Sequence, residues 1–391
     1  MIKHITPDVC YIGVNDRQKT LFENLWPLPQ GVSYNSYLIL DEKNVLVDTV
    51  DSCFSSIFLQ KLSAALDGRH LDYIIVDHVE PDHSGSLSQI LQQYPDAIIV
   101  GNKQTFGMLT GFYGITGPFY EVKEGDKLVI GKKTLSFYMA PMVHWPEVMM
   151  TYDENEGILF SADAFGTFGT LDGGVTDKEL NTDKFWDEMV RYYSNIVGKY
   201  GSPVQKALQK LGGFKINMIC STHGPVWQKE ISKTVGVYDK LSRFEAEKGV
   251  TIVYGSMYGH TEQIAEAIAQ SLSANGVRNI VIHNASKSHI SYILEDIYKY
   301  SGIIIGGNTY CNQINPSIEA VLEAIEIRDV KNRNFGYFGS FAWADGAVKR
   351  LSSFAEKMKW DNICAPIKQK QGMFDEEACD AFGKAFAAKL F

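Results

Sequence analysis

Between Asp77 and His83 the chain sets two histidines and three carboxylates into seven consecutive positions, directly after the apolar run Leu71–Val76. No other feature restricts the fold as much. Charge and lone pairs crowded at the end of a buried strand are costly unless a cation neutralises them. The pattern His78-x-Glu80-x-Asp82-His83 therefore calls for a fold that ends a strand on a metal-binding loop and brings further ligands to it. Pro81 and Gly85 shape this loop and are expected to keep it from forming helix.

Three later residues stand in the same kind of setting. His144 follows Met139-Ala-Pro-Met-Val143 and precedes Trp145-Pro146. Asp163 follows Ile158-Leu-Phe-Ser-Ala162, and His223 follows Met218-Ile-Cys-Ser-Thr222 and precedes Gly224-Pro225. Taken singly, each reads as a buried, hydrogen-bonded core residue. Beside the cluster they become candidate ligands.

The chain has two rhythms. Over the first 248 residues strands predominate: the hairpin Tyr37–Asp48, then Leu71–Val76, Ala97–Val100, Leu135–Met139, Gly157–Phe160 and Met218–Cys220. Helices are predicted at Ser55–Leu66, Asn181–Lys199 and Val204–Leu211. Strand runs mixed with a few helices predict an αββα sandwich with its site at the strand ends. From Gly249 to Phe391, strands at Val250–Tyr254, Ile280–His283, Gly302–Ile305, Gly336–Gly339 and Ala365–Lys368 alternate with helices. That alternation predicts a doubly wound parallel α/β sheet of order 2-1-3-4-5. At 391 residues two domains are the natural expectation, 1–248 and 249–391, joined in the polar stretch Ser242–Gly249.

Composition narrows the setting. A net charge of −9 and a pI near 5.5 argue against nucleic acid or an anionic membrane as partner. The N-terminus shows no basic segment leading into an apolar one, and the apolar runs have strand length, so a cytoplasmic protein is expected. Six cysteines stand singly with no C-x-x-C, which reads as reduced thiols.

Three loops of the second half carry a second signal. Ser256-Met257-Tyr258-Gly259-His260-Thr261 lies between its first strand and first helix, where N–H groups, hydroxyls and a helix N-terminus suit a phosphate. Gly307-Asn308-Thr309-Tyr310, with Asn312, follows the third strand, and Ser340-Phe341-Ala342-Trp343-Ala344-Asp345-Gly346 the fourth. In a 2-1-3-4-5 sheet these loops meet at the switch point where FMN binds.

These residues carry a resemblance. The first domain resembles the metallo-β-lactamase fold, whose hydrolases usually bind zinc through H-x-H-x-D-H. Here the second ligand position is Glu80, and a carboxylate in place of imidazole favours iron over zinc. The H-x-E-x-D-H loop, followed by His-Trp-Pro, Asp-Ala-Phe-Gly and Ser-x-His-Gly-Pro, resembles the flavodiiron proteins, as do Gly31–Ile39 and Arg191–Ile196. The second half resembles flavodoxin. The resemblance implies one iron held by His78, Glu80 and His144, another by Asp82, His83 and His223, and Asp163 as bridging carboxylate. Asp77 is expected to orient a ligand from behind.

The resemblance also implies that FMN and two irons together reduce O2 to water, NO to N2O, or both, in a head-to-tail homodimer or dimer of such dimers. Electrons are expected from a separate donor, such as rubredoxin, a flavin reductase or a reduced deazaflavin. Trp343 is a candidate for stacking on the flavin, and Tyr193 and Trp26 are candidates for the gas pocket. Ala342, Ala344 and Asp345 depart from the family's Gly- and Ser-rich loop, and Asp345 is expected to disfavour the anionic reduced flavin. Two rivals are a zinc-dependent hydrolase with a regulatory flavodoxin domain and a non-catalytic electron-transfer flavoprotein. Glu80 speaks against the first, the seven-ligand set against the second.

Overall fold

The computed structural model describes residues 2–390. They divide into two compact units, up to Asp239 and from Lys240 onward. This division falls inside the helix Ile231–Ser242, ahead of the polar stretch at which the sequence placed the boundary.

The first unit is built on two sheets. The seven strands of one lie side by side in chain order: β1 (Lys3–His4), β2 (Val9–Tyr11), β3 (Tyr37–Ile39), β4 (Val45–Val47), β5 (Tyr73–Ile75), β6 (Ile98–Gly101) and β7 (Phe119–Glu121). The pairs from β1 to β4 are antiparallel and those from β4 to β7 parallel. The second sheet runs β8 (Lys127–Val129), β9 (Thr134–Met139), β10 (Met149–Asp153), β11 (Ile158–Phe160) and β12 (Met218–Cys220). Strands β3, β4, β11 and β12 are buried throughout, which is why they read as unbroken apolar runs rather than alternating ones. The sheets meet where the Tyr37 ring on β3 stands 5.4 Å from Phe160 on β11. Helices α1 (Ser55–Leu66), α2 (Pro81–Ser84), α3 (Leu87–Gln93), α4 (Lys103–Tyr113), α5 (Asp183–Tyr192), α6 (Gly201–Leu211) and α7 (Ile231–Ser242), with the short strand pairs Val14–Asp16/Val32–Tyr34 and Leu21–Phe22/Trp26–Pro27, complete the unit. On α1, Phe58, Leu62 and Leu66 are buried at intervals of one turn, the stripe that seats it.

Two local outcomes differ from expectation. The cluster loop does contain helix: Pro81–Ser84 forms α2, with Pro81 in its first turn. Proline is accepted there because the N–H it lacks has no partner inside a helix start. The single helix expected over 181–199 stops at Tyr192 and continues as the π-helical turn Tyr193–Val197 and a 3-10 turn Gly198–Tyr200.

The second unit has one sheet, parallel apart from the short antiparallel strand Gln313–Ile314. With β13 (Glu247–Gly255), β14 (Ile280–Asn284), β15 (Tyr300–Tyr310), β16 (Asn334–Phe341), β17 (Asp361–Asn362) and β18 (Ile367–Lys370), the order is β14-β13-β15-β16-β17, and β18 also pairs with β16. This is the 2-1-3-4-5 order. Helices α8 (His260–Ala274), α9 (Ile290–Lys299), α10 (Pro316–Arg328), α11 (Gly346–Met358) and α12 (Glu376–Leu390) alternate with the strands. Ile252, Ile304 and Phe338 from the sheet meet Ile264, Ile268 and Leu272 of α8 and Phe382 and Phe386 of α12 in one core. Among the described residues no helix is long and apolar enough to cross a membrane.

Candidate metal centre and flavin cavity

Each candidate ligand stands just beyond or just before a strand. His78, Glu80, Asp82 and His83 follow β5, His144 precedes β10, Asp163 follows β11 and His223 follows β12. All seven are buried. They form two groups, His78–Glu80–His144–Asp163 and Asp82–His83–His223, with the ligand atoms of each group within 4.8 Å of one another.

Asp163 joins the groups. Its Oδ2 faces His144 Nε2 at 3.1 Å and His78 Nε2 at 3.6 Å, while its Oδ1 faces His83 Nε2 at 3.0 Å and His223 Nε2 at 3.6 Å. Glu80 Oε2 closes the first group at 3.2 Å from His78 and 3.0 Å from His144. Asp82 Oδ2 closes the second at 3.3 Å from both His83 and His223. Donors about 2.1 Å from a shared ion stand roughly 3.0–3.4 Å apart, so the spacing suits a metal at each position. Both Asp82 carboxylate oxygens and His223 Nε2 are buried without a hydrogen-bond partner, a cost that a coordinated cation removes.

The protonation balance points the same way. Burial disfavours charge on His78, yet hydrogen bonds to Glu147 and Glu80 outweigh it and hold its pKa well above the ordinary imidazole value. Burial is likewise outweighed at His83, pushed up to about 9 chiefly by Asp82 and Asp163, and at His144, pushed up to about 9 by Asp163 and Glu80. Glu80 and Asp163 are held below the carboxylate range by the histidines despite their burial. The cluster is short of positive charge, and two divalent cations would supply it.

The histidines are aimed from behind. Glu147 Oε1 accepts from His78 Nδ1 at 2.8 Å and from the Val79 N–H at 3.0 Å. A buried carboxylate only accepts, so Nδ1 carries the proton and Nε2 faces the cluster. His223 Nδ1 donates to the Ser33 carbonyl at 2.8 Å. Asn35 Nδ2 ties down Ser221 O and Gly224 O at 2.9 and 2.8 Å, and Tyr37 Oη donates to Ser221 O at 2.7 Å. The segment Gly31–Ile39 thus holds the loop that carries His223. Asp77, expected in the orienting role, bonds Thr151 Oγ1 at 2.8 Å instead.

Two further groups border the cluster. Tyr192, the last residue of α5, is fully buried with its ring 5.6 Å from that of His223, and its hydroxyl has no hydrogen-bond partner. Burial, then the charge of Asp163, pushes its pKa well above the ordinary phenol value. The neighbouring Tyr193, singled out from the sequence, instead meets the Tyr238 ring at 5.1 Å. Trp26 Nε1 donates to Glu23 at 2.9 Å, and burial together with the Glu80 carboxylate pushes Glu23 up to about 8. Tyr192 lies in the stretch Arg191–Ile196 that carries the resemblance, where only its neighbour Tyr193 was singled out, and Glu23, a glutamate in a turn, carries no motif.

In the second unit a cavity of about 640 Å3 opens where the strand-end loops meet, a size within the range of small-molecule sites. Of the residues predicted there, Ser256, Met257, Tyr258, His260, Thr261, Asn308, Thr309, Tyr310, Asn312, Ser340, Phe341, Ala342, Trp343 and Ala344 line it. Four do not. Gly259 serves the turn into α8 at φ 88°, with its N–H bonded to Ser256 Oγ at 3.0 Å. Gly307 is closed off by the Ile314 side chain, and Gly346 abuts the Asn312 backbone. Asp345 leans away to Lys368 at 3.2 Å and Lys349 at 3.4 Å, which keep its pKa below the ordinary value. Its charge is locally balanced, which removes the reason to expect a shift in flavin potential from it. Cys311, Gln371 and Gly372 line the cavity unanticipated, the last two because a loop after the fifth strand bears no phosphate-like pattern. Thr261 Oγ1 and Ser340 Oγ, 2.8 Å apart and buried, sit beside the start of α8, polar groups suited to a phosphate. Trp343 is 82% exposed, so it is no core residue and its indole face is available to a planar ring.

Comparison with known proteins covers both units. A family model described as ODP family beta lactamase matches residues 32–224, and one described as Flavodoxin matches residues 252–382. The anaerobic nitric oxide reductase flavorubredoxin of Escherichia coli O1:K1 is 36% identical over 364 residues, 92% of this chain and 76% of the relative. That of Vibrio vulnificus is 34% identical, covering 90% of this chain and 72% of the relative. Among solved structures, rubredoxin oxygen:oxidoreductase from Desulfovibrio gigas aligns with a TM-score of 0.95 at 27% identity, over 100% of this chain and 98% of that one. The flavodiiron protein of Giardia intestinalis aligns with a TM-score of 0.93 at 27% identity, over the same shares.

Proposed function

The chain belongs to the flavodiiron proteins, and from that premise we propose that it is an oxidoreductase passing electrons from FMN to a non-haem di-iron centre that reduces O2 to water, NO to N2O, or both. The observation that carries this reading is the paired cluster, in which Asp163 presents one oxygen to each of two matched groups of buried donors. We assign His78, Glu80 and His144 to one iron, Asp82, His83 and His223 to the other, and Asp163 to both. FMN is assigned to the cavity lined by Ser256–Tyr258, Thr261, Asn308–Tyr310 and Ser340–Ala344.

When bound, FMN supplies two electrons and the two irons one each, four together, which matches the reduction of O2 to two waters. The chain supplies position and protons. Glu147 and the Ser33 carbonyl fix which nitrogen of His78 and His223 faces the cluster. The Tyr192 hydroxyl, buried and unpartnered, is placed to donate a hydrogen bond to a small ligand beside His223. Glu23 reaches from its turn toward Glu80 on the side open to solvent. The reading includes cytoplasmic placement, a head-to-tail homodimer or dimer of dimers, and an external donor of the rubredoxin or flavin-reductase kind.

The test is direct. Iron-loaded, FMN-loaded protein is reduced anaerobically and mixed with a known amount of O2 or NO. Consumption of either gas with reoxidation of the flavin is expected. Consumption of neither by protein carrying two irons per chain would overturn the assignment.

A further inference from the structure

The two metal positions are built alike except for one group. Each takes two imidazoles, one carboxylate of its own and one oxygen of Asp163. Behind them the supports differ. His78 Nδ1 donates to a carboxylate, Glu147, at 2.8 Å with both side chains 0% exposed. His223 Nδ1 donates to a neutral carbonyl, Ser33 O, and His83 Nδ1 has no hydrogen-bond partner.

Glu147 Oε2 has no hydrogen-bond partner, and besides the ring the carboxylate takes the backbone N–H groups of Val79 and of Glu147 itself. The residue is pinned from outside the cluster by Asn102 Nδ2, which donates to its backbone carbonyl at 2.6 Å. The other buried carboxylates on this side bond no ring. Asp48 Oδ1 takes the N–H groups of Asp77 and His78, and Asp77 Oδ1 takes Thr151 Oγ1. A carboxylate hydrogen-bonded to the far nitrogen makes an imidazole a stronger donor, and more so in a water-free interior.

We propose that Glu147 makes the two metal positions unequal: His78 is the strongest imidazole donor, so the position of His78, Glu80 and His144 binds iron more tightly and releases an electron first. Glu147 is thus a positioning residue that also sets the order of oxidation. The proposal rests on the ligand assignment above.

The test uses the FMN-loaded protein filled with iron-57. Glu147→Gln keeps the volume and an acceptor for the ring but removes the charge. Chelator titration should then show one iron released about 10–100-fold more readily, the range for loss of such a support, with the other unchanged. In Mössbauer spectra only one of the two iron signals should move. The potential of the more easily oxidised iron should rise, by about 59 mV for each tenfold loss of preference for the ferric form. Two irons that leave and oxidise as in the wild type, or that shift equally, would overturn the proposal. Should Glu147→Gln fail to fold, a crystal structure of the wild type loaded with one equivalent of iron decides: iron between His78, Glu80 and His144 supports the proposal, and iron between Asp82, His83 and His223, or spread equally over both, overturns it. A wild-type chain that holds fewer than two irons sinks the ligand assignment itself, which separates the two failures.

Discussion

Glu80 is the residue on which the choice of metal turns. Its Oε2 stands 3.2 and 3.0 Å from the Nε2 atoms of His78 and His144, so it lies among the candidate ligand atoms rather than behind them. Glu80→His would exchange an anionic oxygen for a neutral nitrogen and shift the site toward zinc. Elemental analysis of the variant, grown with both metals available, should show iron falling below about half of the wild-type content and zinc rising. Unchanged iron would remove Glu80 from the ligand set. Tyr192 makes a different prediction, because its hydroxyl touches no ligand through a hydrogen bond. Tyr192→Phe should leave iron content alone and slow gas consumption by about 10²–10³-fold, the usual cost of one preorganised donor. The candidate ligands were legible because they stand as polar residues at the ends of apolar strand runs. Their supports were not. Glu147 lies 69 positions from His78 and Ser33 lies 190 from His223, and a backbone carbonyl leaves no trace in side-chain chemistry.

At the scale of elements, most strands and helices followed from apolar runs and turn residues, and the exceptions have local causes. The strand read as Gly302–Ile305 extends over Tyr300–Tyr310 because its parallel ladders run on through Gly306–Asn308, and Thr309 and Tyr310 then pair with Gln313 and Ile314, a hairpin without an apolar signature. The π-helical turn after α5 lengthens one turn by a residue, and all five of its residues are buried. Such turns recur at functional sites, and this one begins directly after Tyr192. The N-terminal edge of the first sheet carries a prediction of its own. Glu179 accepts from the N–H groups of Val175 and Thr176 at 3.1 and 3.3 Å and pairs with Lys3 on β1. These partners, Lys3 foremost, hold its pKa down to about 2 against an ordinary 4.5. A depressed carboxylate stabilises the fold fully above its unfolded pKa and loses that contribution as pH falls through the folded one. The urea midpoint of metal-free protein should therefore drop more steeply between pH 4.5 and about 2 for wild type than for Glu179→Gln. Parallel curves would show that the pair adds nothing.

For the whole molecule, the decisive question is which flavin serves which iron pair. The cluster lies wholly within residues 78–223 and the cavity within residues 256–372, so each can be disabled by substitutions in its own unit. Asp82→Ala with His223→Ala removes two of the donors of one metal position. Thr261→Glu with Ser340→Glu places carboxylates where the buried hydroxyls stand 2.8 Å apart, against a phosphate. Each variant alone should consume neither gas. A heterodimer assembled from one chain of each kind, isolated through two different tags, separates the routes. If electrons cross between chains, the intact flavin of one faces the intact iron pair of the other, and about half of wild-type turnover per dimer should return, since one of two symmetric pairings survives. If electrons stay within a chain, no working pair exists and the heterodimer remains silent. Recovery would also require that the chain associates, so the same experiment decides whether the head-to-tail homodimer is the active form. A silent heterodimer carrying its full complement of one flavin and one iron pair would reject it.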